Sequence, residues 1–220
     1  EFLVEYGGKR RFYAMFSARP KQRAANRGGF FMSQAAAKNT QSSKFSVREI
    51  CYTGLFAAVI AVMAQISIPM PLGVPMTMQT FAITLAAVVL GSKLSAMASL
   101  VYLILGAVGV PVLASFSGGI DKFVGPTGGF LISFPLMAYI IGLGVEHRNA
   151  FKGAFPLAVV VGTVVNYIVG VILFVIVAHS TVAVAISACV LPFIPTAIIK
   201  AVLACAIGLN IRKRIPGLKA

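Results

Sequence analysis

The sequence predicts an all-α membrane protein, a bundle of six transmembrane helices, and three observations predict it. Apolar residues make up 59% of the 220 positions and charged residues only 11%. A soluble domain carries about a quarter charged residues, so a water-facing surface of ordinary size is excluded, and the mean hydropathy of +0.93 agrees. The charge is gathered at the ends: ten of the 19 Lys and Arg residues lie at or before Arg48, and four more are Arg212, Lys213, Arg214 and Lys219. Between the ends run long uncharged stretches, with no charge from Ile50 to Ser92 and only His179 from Gly153 to Ile199.

Residues 1–45 are polar and basic without a sustained apolar period, which predicts a disordered leader. Met32 is a candidate natural start, which would make 1–31 foreign to the protein. The membrane domain is expected over 46–214, followed by a short tail, 215–220. The first helix is expected over 47–67, where a segment of this length reaches about 30 Å and crosses the hydrocarbon. Pro69, Pro71 and Pro75 then break regular helix and set up an ordered loop. A second helix is expected over 77–90, with Thr77 and Thr80 as ordinary helix-start residues, and a third over 94–108. Both fall short of the usual ~20-residue span, which implies tilt or ends covered by protein. The segment 109–129 is rich in glycine, longer than a turn needs, and includes Phe116, Ser117, Gly118, Gly119 and Thr127. Helices over 130–145 and 154–178 follow, then a short interfacial or re-entrant helix over 181–191 and a last helix over 196–211.

Six crossings place both termini on one side. Loops on that side carry Lys93, Arg148 and Lys152 in addition to the basic ends, and the far side carries only Lys122, balanced by Asp121. By the positive-inside rule both ends are cytoplasmic. The net charge of +14 therefore reflects membrane flanks. Nucleic-acid binding would need a basic folded face with stacking aromatics and is excluded. Cys51, Cys189 and Cys205 lie in apolar runs without metal-ligand spacing, and no carboxylate cluster or phosphate-binding glycine loop is present, so neither metal nor hydrolytic chemistry is expected.

A few polar residues stand out in the apolar body. Lys200 lies inside the last helix, where a lone ammonium must snorkel, pair or face a polar cavity. Asn166 lies in the middle of the fifth helix beside Tyr167, and a buried amide must be hydrogen-bonded, either to hold two helices or to read a ligand. Gln79 is a weaker candidate of the same kind. Glycine-rich loops allow close backbone approach to a ligand, and Thr127 within GPTGG adds a hydroxyl. Phe116 stands in that loop where it would cover an apolar ligand. Ala57 and Ala61, four apart on the first helix, allow close helix contact, within the bundle or with a partner.

The strings VPMTMQTF at 74–81, YLILGAVGVPV at 102–112, GG at 118–119, GPTGG at 125–129 and PFIPTAIIKAVLA at 192–204 closely resemble the BioY family, the biotin-binding S components of energy-coupling factor (ECF) transporters. The resemblance runs over about 48–212. It implies a six-helix bundle of the S-component type in the bacterial cytoplasmic membrane, with a biotin pocket near the extracellular side. It implies as partners a transmembrane coupling protein and two ATPase subunits that use the ATP, with no cofactor in this chain; self-association is a further candidate. Lys200 matches the lysine of the last motif, Asn166 a polar position of the fifth helix, and Ala57–Ala61 the docking motif of the first. Thr196 and Ala197 follow Pro195 where the family commonly has Gly-Asp, so Asn166, Thr196 or backbone carbonyls would take the ureido donors. Ser115 and Phe116 stand where two glycines are usual. The resemblance implies biotin uptake without catalysis by this chain; the alternative is a solitary secondary transporter of biotin or a related small carboxylate.

Overall fold

The computed structural model describes residues 46–70, 74–148 and 153–215. They fall in the second of two units into which the chain divides, Phe45–Ala220. The leader, with Met32, and the tail beyond Ile215 lie outside the described residues.

Proline and glycine cut the apolar chain into helices close to the expected breaks. Helix α1, Val47–Ala64, begins with the Ser46 N–H donating to the Glu49 carboxylate at 2.8 Å, which secures an otherwise free terminal amide. It ends three residues earlier than the expected 67. Gln65 stands just past the helix, and its Nε2 donates back to the Ala61 carbonyl (2.9 Å) and across to Val112 (3.2 Å). Strand β1, Ser67–Ile68, pairs antiparallel with β2, Met76–Thr77, in the register Ser67 to Thr77. Thr77 is therefore a strand residue and not the start of the second helix, because the helix begins only at Gln79.

Helix α2, Gln79–Leu90, is buried at every residue from Phe81 to Leu90. A helix that is apolar all round belongs in the interior, and α2 packs against α1, α3 (Ser92–Ala107), α5 (Gly128–Glu146) and α8 (Ile194–Arg214). Its shortness reflects this central position. A 3-10 turn over Ala114–Phe116 and a one-turn helix α4, Asp121–Val124, occupy the long loop. Helix α5, Gly128–Glu146, makes the most extensive helix pair with α6, Ala154–Val177. Gly129 makes that closeness possible: a Cβ there would lie 2.6 Å from the Val169 carbonyl oxygen. Helix α7, Val182–Cys189, is the short helix expected at 181–191, and a 3-10 turn, Leu191–Phe193, leads into α8, Ile194–Arg214.

Helices α1, α5 and α6 and the run Val182–Arg214 are long and apolar enough to cross a membrane, and α2 and α3 are shorter apolar helices. Their outer faces carry large exposed apolar side chains such as Leu157, Val164, Ile168, Ile172 and Ile176 on α6. Such a surface suits lipid and not water.

The helix ends near Gly91 are tied internally. Glu146 accepts from the Ser92 N–H at 2.7 Å and the Ser92 hydroxyl at 2.9 Å. Arg212, only 8% exposed, donates from Nη1 to the Val88 and Val89 carbonyls at 3.1 and 3.3 Å. Those carbonyls lie in the last turn of α2, where acceptors lack an intrahelical partner.

Candidate ligand-binding site

At the opposite end of the bundle the same helices part around a cavity of about 280 Å³, near the lower edge of the ~300–1,000 Å³ usual for small-molecule sites. Its apolar wall comes from Val74, Leu113, Phe130, Leu131, Phe134 and Phe193. Polar groups reach it from four helices and two loops.

Lys200 sits six residues beyond Ile194, about 9 Å along α8. Its ammonium does not snorkel outward: Nζ donates to the Thr77 carbonyl at 2.7 Å and the residue lines the cavity. The hairpin makes this possible, since Thr77 lies outside α2. One of the three ammonium protons is thereby used, and two are left. No carboxylate side chain lines the cavity among the described residues.

Asn166, 2% exposed, does both things considered for it. Nδ2 donates to the Phe130 carbonyl (3.3 Å) and the Ser133 hydroxyl (3.1 Å), which joins α6 to α5. The side chain also lines the cavity, and its Oδ1 accepts from no described residue. Gln79 lines the cavity as well, with its Oε1 accepting from the Thr77 hydroxyl at 2.8 Å and its Nε2 donating to the buried Tyr102 hydroxyl. That chain of hydrogen bonds holds β2 against α2 and α3.

Tyr167, Thr127, Ser117 and Thr196 also line the cavity. Ser117 and Thr196 donate to nearby carbonyls, Ala114 at 2.7 Å and Phe193 at 2.9 Å, which leaves their lone pairs as acceptors.

Three expected residues stand elsewhere. Phe116 is 71% exposed and lines no part of the cavity. Its backbone is left-handed, φ 53°, directly after Ser115 at φ 57°, and that turn carries the ring outward. Gly118 and Gly119 shape the loop without reaching the cavity: a Cβ on Gly118 would lie 2.9 Å from the Gly109 carbonyl carbon, and Gly119 has φ 107°. The Ala57–Ala61 pair also faces inward. Ala57 is 4% exposed within the core, and Ala61 packs against the same cluster. The small residues on the exposed face of α1 are Gly54 and Ala58, one helix phase away.

Residues 35–217 match the sequence profile of the BioY family. The chain belongs to the BioY family. The biotin transporter BioY of Thermotoga maritima is 42% identical over 168 residues, 76% of this chain and 97% of that protein. The biotin transporter BioY of Rhizobium etli is 34% identical over 186 residues, 80% and 98% of the two chains. The crystal structure of the S-component for biotin from an ECF-type ABC transporter superposes with a TM-score of 0.69 at 27% identity, covering 80% of this chain and 95% of that one. The BioY match includes every element around the cavity, from the hairpin to α8.

Sequence reasoning missed Lys122, which lines the cavity from α4 while pairing with Asp121 at 3.4 Å. It was read as one half of a balanced loop pair. It missed Ser115, an exposed residue in a left-handed turn that also lines the cavity. Thr80 lines the cavity too, although it was expected to be a plain helix-start hydroxyl.

Proposed function

We propose that this chain binds biotin and serves as the substrate-capturing subunit of a transporter of the energy-coupling factor type, bringing the vitamin across the cytoplasmic membrane. The observation that carries this is a largely apolar cavity, open at one end of the bundle, with Lys200 and Asn166 at its polar side, in a member of a family whose curated relatives are named biotin transporters. Biotin has an apolar valeryl chain and sulfur ring, a carboxylate, and a ureido group with two donors and one acceptor. The phenylalanine and leucine wall suits the apolar body. Lys200 has N–H groups for an acceptor oxygen of the ligand, and Asn166 Oδ1 is an acceptor for a ureido N–H. Cations at Lys200 and Lys122 with no lining carboxylate favour an anionic ligand over a cationic one.

The cavity opens on the side away from Lys93, Arg148 and Arg212, so the positive-inside rule puts it on the extracellular side with both termini in the cytoplasm. Among the described residues no carboxylate lines the cavity to couple transport to a proton, which favours ATP hydrolysis by partner subunits.

Isothermal titration of the detergent-purified protein with biotin, desthiobiotin, lipoate and thiamine tests the ligand. Saturable heat is expected with biotin; its absence, with saturation by one of the others, overturns the assignment. Uptake into proteoliposomes is expected only when coupling and ATPase subunits and ATP are added. Uptake by the chain alone would make it a solitary transporter.

A further inference from the structure

Beneath the cavity lies a second void of about 20 Å³, where α2, α5, α6 and α8 meet. It shares Thr80, Asn166, Tyr167, Ala197 and Lys200 with the cavity above and adds Thr84 and Thr163 as polar lining. A water molecule needs roughly 10–15 Å³, so the void has room for a water.

Its polar groups are unevenly used, and two of them, on Thr84 and Asn166, belong to buried residues. Thr84 is 2% exposed. A threonine within a helix commonly donates back one turn, as Thr163 does to the Val159 carbonyl at 2.8 Å. The Thr84 hydroxyl makes no hydrogen bond to any described residue, and neither does Asn166 Oδ1. Lys200 has spent one proton on Thr77. A hydroxyl, an amide oxygen and an ammonium together offer a donor, an acceptor and a group that can be either. A cation would be repelled by the ammonium and finds no lining carboxylate. An anion would face the lone pairs of the amide oxygen.

We infer that this void is a built site for one ordered water, held by Thr84 and Asn166, that forms part of the floor of the ligand cavity. Thr84 is then a positioning residue: it touches the ligand through the water and orients both the water and the Asn166 amide. The effect on ligand rests on the biotin reading above; the water site does not.

Two measurements test it. A high-resolution crystal structure of the ligand-free protein is expected to show density within hydrogen-bonding distance of Thr84 Oγ1 and Asn166 Oδ1. Titration with biotin is expected to give about tenfold weaker binding for Thr84→Val, which keeps the shape but strands the water, and a change under about twofold for Thr84→Ser. A void without density in a biotin-binding parent overturns the inference, as does a Val variant that binds like the parent. Density at the site in a parent that gives no saturable heat with biotin would sink the biotin reading and leave the water site standing.

Discussion

The two ends of the bundle treat polar groups in opposite ways. Around Gly91 each buried polar group meets a partner of its own: Glu146 takes both Ser92 donors, and Arg212 takes two carbonyls at the end of α2. At the cavity end Lys200 is only partly engaged, and Asn166 and Thr84 keep polar atoms that no described residue meets. Desolvating a polar group without a partner costs about 1–3 kcal/mol. A fold that closes one end and leaves such groups facing a cavity at the other has put stability in the first place and recognition in the second. Substitutions at the two ends should therefore separate affinity from stability.

The largest effect is expected from Lys200→Ala. Biotin affinity, read by titration, should fall at least tenfold, because a charge-assisted hydrogen bond to the ligand is worth about 1.5–3 kcal/mol. The ligand-free melting temperature in detergent should hardly fall, since a desolvated ammonium leaves with the side chain. An unchanged dissociation constant would break the comparison at its main point. Glu146→Ala should do the reverse. Loss of both acceptors for Ser92 costs about 1–3 kcal/mol and lowers the melting temperature by several degrees, while the biotin dissociation constant stays within about twofold. A large loss of affinity there would mean the two ends are coupled.

A smaller, kinetic effect is expected from the roof. Gln65 ties the loop after α3 to the end of α1, donating to the Val112 carbonyl at 3.2 Å and accepting from the Phe116 N–H at 2.7 Å. The Ser67 and Ser115 hydroxyls meet at 2.9 Å beside it. Gln65→Ala removes about 1 kcal/mol of restraint from a loop that lines the cavity, so biotin release in stopped flow should quicken a few-fold. An unchanged off-rate would show that the ligand leaves by another path.

How far the sequence discloses this depends on the range of the interaction involved. Apolar runs ended by proline and glycine carry the helix positions, and α6 and α3 lie within two residues of expectation. The two-residue strands of the hairpin are too short to leave any alternation, so Thr77 looked like a helix start. Lys200 and Asn166 stand out because a polar residue in an apolar run must be satisfied somewhere. Thr84 does not stand out, because a hydroxyl that can bond its own helix sends no signal until the void beside it is seen. The Ala57–Ala61 spacing left its face open for a related reason: α1 is apolar nearly all round, so spacing gives no phase, and packing places this pair against the core with Gly54 and Ala58 exposed.

Phe116 gives the finest test, because its two assignments predict different outcomes. A ring that covers the ligand would cost affinity when removed. The observed ring is 71% exposed, on a residue at φ 53°. A side chain in the left-handed region is strained by about 1–2 kcal/mol, and glycine relieves that while adding roughly 0.5–1 kcal/mol of chain entropy to be lost on folding. Phe116→Gly should therefore leave the melting temperature unchanged or slightly raised and the biotin dissociation constant within about twofold. The Phe116 N–H that meets Gln65 belongs to the backbone and survives the change, so the roof stays tied. Weaker binding with unchanged off-rates for Gln65→Ala would place the cover of the cavity in the aromatic ring and not in the tie, the reverse of what the loop geometry supports.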